Sequence, residues 1–139
     1  MDSAGFNNLD NKFDIIYKDI NSSILITGLS VKPDESFIDK VINENKVNYK
    51  INIMHYPDEF DNIKKYNYDL VLAGHSHNGQ IALPVYGAVI TPENAKEYYK
   101  PYYKIDNTLF YISSGVGTTK FDYRFLNKPS FNLYRILKK

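Results

Sequence analysis

Three histidines, His55, His75 and His77, are the side chains best suited to carry chemistry, and the chain has no others. Neutral imidazole is the commonest protein ligand for transition metals and suits Mn, Fe, Co, Ni or Zn. In Gly74-His75-Ser76-His77-Asn78-Gly79-Gln80 the pair stands two residues apart, and in extended chain such residues project to one side, so both rings can face one metal cluster. Gly74 and Ser76 are small enough for close backbone approach, and Asn78-Gly79 permits a sharp turn with positive φ. Taken alone, the pair fits an exposed turn as well as it fits a metal, and His55 before Tyr56-Pro57 fits capping or packing better than ligation. The coincidence of all three at expected strand ends tips the balance towards a metal cluster.

Composition narrows the chemistry further. The 139 residues include no cysteine, so thiolate ligands, disulfides and a cysteine nucleophile are excluded, and any metal is held by nitrogen and oxygen. The 17 basic and 16 acidic side chains leave a net charge of +1, too little to favour nucleic acid or an anionic membrane surface. Thirteen Tyr and eight Phe without Trp make the apolar content aromatic, which suits strands and a packed core. No apolar run is long enough for a membrane span, and Met1-Asp2-Ser3-Ala4-Gly5 lacks the regions of a secretory signal. Cytoplasmic location is the expectation unless a signal or anchor lies upstream of Met1.

The elements that must hold the histidines are readable from pattern. Residues 1–11 read as a loosely held lead-in, and residues 12–139 as one folding unit. Residues 12–17 and 22–27 are β-branched and aromatic runs separated by Lys18-Asp19-Ile20-Asn21, a hairpin signal. Pro33-Asp34-Glu35 starts a helix whose stripe is Phe37, Ile38, Val41 and Ile42. Residues 50–54 form a strand ending at His55, a short helix covers about 59–65, and the apolar run 69–73 is a central strand ending before His75. This βαβ-like order gathers ligand groups beyond the carboxyl ends of the strands. Residues 81–103, punctuated by Pro84, Gly87, Pro92 and Pro101, read as a long irregular excursion. Residues 109–113 restore a strand, residues 115–119 a turn, and residues 131–137 alternate as a closing strand.

Ile53-Met54-His55-Tyr56-Pro57-Asp58 and Gly74-His75-Ser76-His77-Asn78-Gly79-Gln80-Ile81 resemble the last two metal motifs of calcineurin-like metallophosphoesterases. Leu83-Pro84-Val85-Tyr86-Gly87, Tyr111-Ile112-Ser113-Ser114-Gly115-Val116-Gly117, Arg124-Phe125 and Asn127-Lys128-Pro129 resemble stretches that follow in a bacterial membrane- or wall-associated phosphodiesterase branch. The resemblance covers nearly all of the chain. It implies an α/β fold, the C-terminal half of the metallophosphoesterase β-sandwich flanked by helices. It implies hydrolysis of phosphomonoesters or phosphodiesters at a dinuclear site, with His55 and His75 on one metal and His77 on the other, the metals being Mn, Fe or Zn. Asn78 stands where many relatives have Gly, a change that left-handed Asn accommodates. The family's earlier motifs, Asp-Xaa-His, Gly-Asp-Xaa-Xaa-Asp and Gly-Asn-His-Asp/Glu, do not occur in residues 1–139. The chain alone is therefore expected to bind metal weakly or not at all and to be inactive or weakly active. It is also expected to seek a homo-oligomeric contact or a missing N-terminal half. The alternative is a non-catalytic metal-binding or structural module built on the same fold.

Rival motifs fare less well. The histidine-triad nucleotide hydrolases need a third alternating histidine where this chain has Gly79. Ser113-Ser114-Gly115-Val116-Gly117 lacks the Lys-Ser/Thr ending of a P-loop and reads as an ordinary turn. Ser114 has no local support as a nucleophile. Tyr98-Tyr99-Lys100-Pro101-Tyr102-Tyr103-Lys104 could stack on single-stranded nucleic acid, but the near-neutral charge favours a packed loop. Arg124 could pair with phosphate, although a structural salt bridge is the blander expectation.

Overall fold

The computed structural model describes residues 4–119 and 122–137. Lys12–Asp19 (β1) and Ser22–Gly28 (β2) form the expected antiparallel hairpin, Ile15 pairing with Leu25 and Ile16 with Ile24. Glu35–Glu44 is helix α1. Its first turn is held by the Asp34 carboxylate, which accepts from the backbone N–H groups of Ser36 and Phe37, so the orphan donors of the helix start are satisfied. Tyr49–Ile53 (β3), a helical turn opening at Pro57, Phe60–Ile63 (α2) and Leu70–Ala73 (β4) follow. The excursion contains more order than its prolines suggest. Ala82–Leu83 (β5) and Gly87–Ala88 (β6) make a small hairpin, and Tyr102–Ile105 (β7) returns to pair antiparallel with Thr108–Ile112 (β8).

The main sheet has the order β1-β2-β3-β4-β8-β7. Its four central strands are parallel, and the edge strands β1 and β7 are antiparallel to their neighbours. The α/β class expected of the C-terminal half of the metallophosphoesterase β-sandwich is the class this chain adopts. Parallel strands need crossovers, and α1 and α2 supply two of them. Both cover the same face, where Ile38, Phe60, Ile63, Val71, Phe110 and Ile112 form the core. Phe60 stacks on Phe110 at 4.9 Å, and Tyr98 meets Phe60 edge-on at 5.4 Å. Each such ring removed from water contributes about 1.5–3 kcal/mol. The aromatic run at residues 98–104 is thus packed rather than offered for stacking, since Tyr103 also lies 5.9 Å from Phe110.

The opposite face carries the register row Ile26, Ile51, Leu70 and Leu109 and the row Ile53, Leu72 and Tyr111. The expected closing strand at residues 131–137 does not form; the segment is irregular and joins no ladder. Its alternation is present, but instead of extending the sheet beyond β1 or β7 the segment drapes over this second face. Tyr134 packs on Tyr111 at 5.3 Å, and Ile136 and Leu137 line a groove with Ile16, Ile24 and Tyr49. Phe131 and Leu133 remain largely exposed.

Candidate metal centre

The carboxyl ends of β3, β4 and β8 stand side by side and open into three loops. His55 follows β3, His75 and His77 follow β4, and Ser113-Ser114-Gly115 follows β8. Buried strands of Ile, Leu and Val set this crest. The loops beyond it are free to take the unusual backbone that presents side chains.

His55 and His75 converge, with ring centres 4.8 Å apart. Tyr56 packs edge-on against His75 at 4.6 Å and fixes that ring from the side. Nε2 of His75 lies 2.8 Å from the carbonyl oxygen of Glu93. A carbonyl only accepts, so Nε2 carries the hydrogen, and a metal would bind this ring through Nδ1.

His77 is placed differently. The extended conformation expected for His75-Ser76-His77 is not found, because His75 has φ 62° and His77 φ 47°, both left-handed. Asn78 (φ 51°), Gly79 (φ 79°) and Gln80 (φ 50°) continue the run. Left-handed non-glycine residues cost energy that surrounding contacts must offset. Those contacts are visible. Ser76 is buried and its hydroxyl accepts from the Asn78 N–H at 3.0 Å, while the Asn127 side-chain amide donates to the His77 carbonyl. Gln80 is a hub, its amide donating to the Tyr123 carbonyl at 2.9 Å and its Oε1 accepting from the Thr119 N–H at 2.9 Å. The turn expected at Asn78-Gly79 is present, with both residues in the left-handed region. Its result is that Nδ1 of His77 faces Nη2 of Arg124 at 3.1 Å instead of the other two rings.

Electrostatics favour neutral imidazoles. Partial burial, then the positive ends of His75 and His77, hold His55 below the ordinary histidine value. Burial, then the Arg124 guanidinium, lower His77, with the Gly117 carbonyl partly offsetting them and His75 adding to the lowering. A neutral ring is the ligand form, so both shifts oppose proton competition with a metal.

Residues other than the histidines build this centre, and among them Asp58 was given no role from the sequence. Asp58, three residues past His55, accepts from three consecutive backbone N–H groups, those of Lys96 (2.7 Å), Glu97 (3.1 Å) and Tyr98 (3.0 Å). Its own N–H donates to the Asn94 carbonyl at 3.2 Å. Asp58 thereby ties down the loop that brings the Glu93 carbonyl to His75. The only sequence signal was its place after Tyr56-Pro57. Ser114 is buried and bonded to the Lys128 carbonyl and the Ser130 hydroxyl, a structural role. The salt bridge expected of Arg124 is absent among the described residues, where the ion pairs are Lys64–Asp61 and Lys65–Glu35.

Two imidazoles on one ion, each bound through nitrogen at about 2.0–2.1 Å, place their ring centres about 5 Å apart. The 4.8 Å separation of His55 and His75 fits that requirement, and the donors are of the right type. No three His, Cys, Asp or Glu side chains among the described residues group around one point.

Comparison with known proteins agrees with the motifs. The chain is 38% identical over 88 residues to the uncharacterized metallophosphoesterase YkuE of Bacillus subtilis (strain 168), covering 63% of this chain and 31% of that protein. It is 30% identical over 66 residues to the phosphodiesterase YaeI of Escherichia coli (strain K12), covering 48% and 24%. The proteins it is similar to are thus named as a metallophosphoesterase and a phosphodiesterase. The matched stretches span less than a third of the length of either relative. No family model matches the chain, and no solved structure matches it.

Proposed function

We propose that this chain supplies the histidine side of a dinuclear metallophosphoesterase centre, with His55 and His75 holding one divalent metal and His77 contributing to the second. The observation that carries the reading is the 4.8 Å approach of His55 and His75 at the crest of a parallel sheet. The names of the two relatives support phosphoesters as the substrate class. Mn, Fe or Zn suits the imidazole donors. When bound, such a pair supplies positive charge that stabilises the phosphoryl oxygens of an in-line displacement.

The chain's own residues orient and protect. The Glu93 carbonyl fixes the His75 tautomer, Tyr56 limits rotation of that ring, and partial burial keeps His55 unprotonated near neutrality. Neutral imidazoles leave a dication's charge uncompensated, and the family's carboxylate motifs do not occur in residues 1–139. Metal binding by this chain is therefore weak and turnover slow. No helix among the described residues is long and apolar enough to cross a membrane.

Calorimetric titration with Mn²⁺ or Zn²⁺ tests the reading. One weak site lost in both His55→Ala and His75→Ala is expected, with slow hydrolysis of a p-nitrophenyl phosphodiester. Metal binding unchanged by both substitutions would overturn it.

A further inference from the structure

Arg124 is a half-buried cation without a counter-charge among the described residues. Its hydrogen bonds are unevenly distributed. Nη2 alone meets the carbonyls of Ser114 (2.6 Å), Gly115 (3.3 Å) and Gly117, and also Nδ1 of His77 (3.1 Å). That nitrogen has two hydrogens for four acceptors. Nε and Nη1, with three hydrogens between them, are enclosed and have no hydrogen-bond partner among the described residues. Burying a guanidinium is unfavourable unless its charge and its donors are both matched. Backbone carbonyls match neither in full.

We infer that Arg124 is an oxyanion-binding residue of the histidine rim, its unpaired Nε–H and Nη1–H groups serving a phosphoryl oxygen or a free phosphate. A planar guanidinium suits this ligand because its donors are set in a fixed fork that matches two oxygens at once. The His77 contact places the fork at the same crest of the sheet, beyond β4 and β8, as the His55–His75 pair. Gly117, whose carbonyl meets Nη2, lies in an exposed turn with no strand pairing, so a small shift of that turn would admit the anion. The inference rests on the phosphoester reading for its substrate class, but it requires no metal.

The test is a titration of the isotope-labelled chain with inorganic phosphate, in chelator and at constant ionic strength, followed through the Arg124 Nε–H and His77 ring resonances. Saturable shifts in both are expected. Charged hydrogen bonds of this kind lead us to expect Arg124→Gln to weaken phosphate binding about 10- to 100-fold. Lys104→Gln, which removes the same charge on edge strand β7, should leave it unchanged. Arg124→Lys keeps the charge without the fork and covers the case in which Arg124→Gln does not fold; it should bind several-fold more weakly than the parent. Absence of saturable shifts in the parent, or equal affinity in the parent and either Arg124 variant, would overturn the inference. Failure of metal binding at His55 and His75 with phosphate binding intact would count against the metal reading alone.

Discussion

Replacing Asp58 with Ala should loosen the metal centre from a position that touches none of its histidines. The substitution removes the acceptor of three backbone N–H groups, at 2.7, 3.0 and 3.1 Å, and leaves residues 96–98 without that anchor. Hydrogen bonds of this type contribute about 0.5–1.5 kcal/mol each, and the carboxylate is only half-buried, so a loss of about 2–3 kcal/mol is expected. Part of it falls on packing, because Tyr98 sits against Phe60 and the neighbouring Ala95 is fully buried. Urea unfolding measures the stability term. The ring ¹⁵N resonances of His75 measure the other consequence, since a wandering Glu93 carbonyl no longer holds the hydrogen on Nε2. Asp58→Asn, which retains one accepting oxygen, should fall between. A stability loss below about 0.5 kcal/mol together with an unchanged His75 spectrum would refute the idea that Asp58 supports the site through this loop.

Gly79→Ala should cost about 1–3 kcal/mol, since φ is +79° and a Cβ there would meet the Cα of Ala88 at 2.9 Å; thermal unfolding checks it. His55 and His77 have folded-state values below the ordinary histidine value of 6.5, so the unfolded chain takes up protons first as pH falls. Their contribution is complete above that value and lost as pH drops towards the depressed folded values, and urea midpoints at a series of pH values should fall across that window but not above it. The half-covered second face, with Ile53 42% and Leu133 92% exposed, should drive self-association or engage a separate N-terminal half. Sedimentation at several concentrations showing a monomer throughout, with no binding of apolar dye, would contradict this.

Local pattern sufficed for the elements that carry the histidines. Val and Leu runs with turn residues at their ends marked β3 and β4, and Pro33-Asp34 marked the start of α1, because these signals act within a few residues. Residues 131–137 misled because alternation specifies a side-chain pattern and not a partner, and the segment packs on the second face rather than pairing with either edge strand. The strand β7 was hidden for the converse reason. Its run Tyr102–Ile105 is short and follows Pro101, and only pairing with β8 makes it a strand. At the site, spacing located the histidines but missed their backbone, since left-handed φ at His75 and His77 is imposed by Ser76, Gln80 and Asn127 from outside the pair.

The allocation of ring nitrogens orders how this centre can be filled. His75 donates through Nε2 to a carbonyl and keeps Nδ1 as its accepting nitrogen, and His55 stands 4.8 Å away with its protonation suppressed. Ligation by these two displaces no hydrogen-bond donor from an accepting ring nitrogen among the described residues. His77 has Nδ1 engaged by a guanidinium, which can only donate, so the neutral ring carries its hydrogen on Nε2 and has no lone pair to offer. Ligation by His77 therefore requires Arg124 to let go. An oxyanion bound by Nε–H and Nη1–H would draw the guanidinium, and Nη2 with it, away from His77, so phosphate and the second metal should favour each other's binding while the first metal binds independently of both. Metal titration in the presence and absence of phosphate separates the cases: equal affinity of the second site under both conditions would mean that the Arg124–His77 contact does not control it.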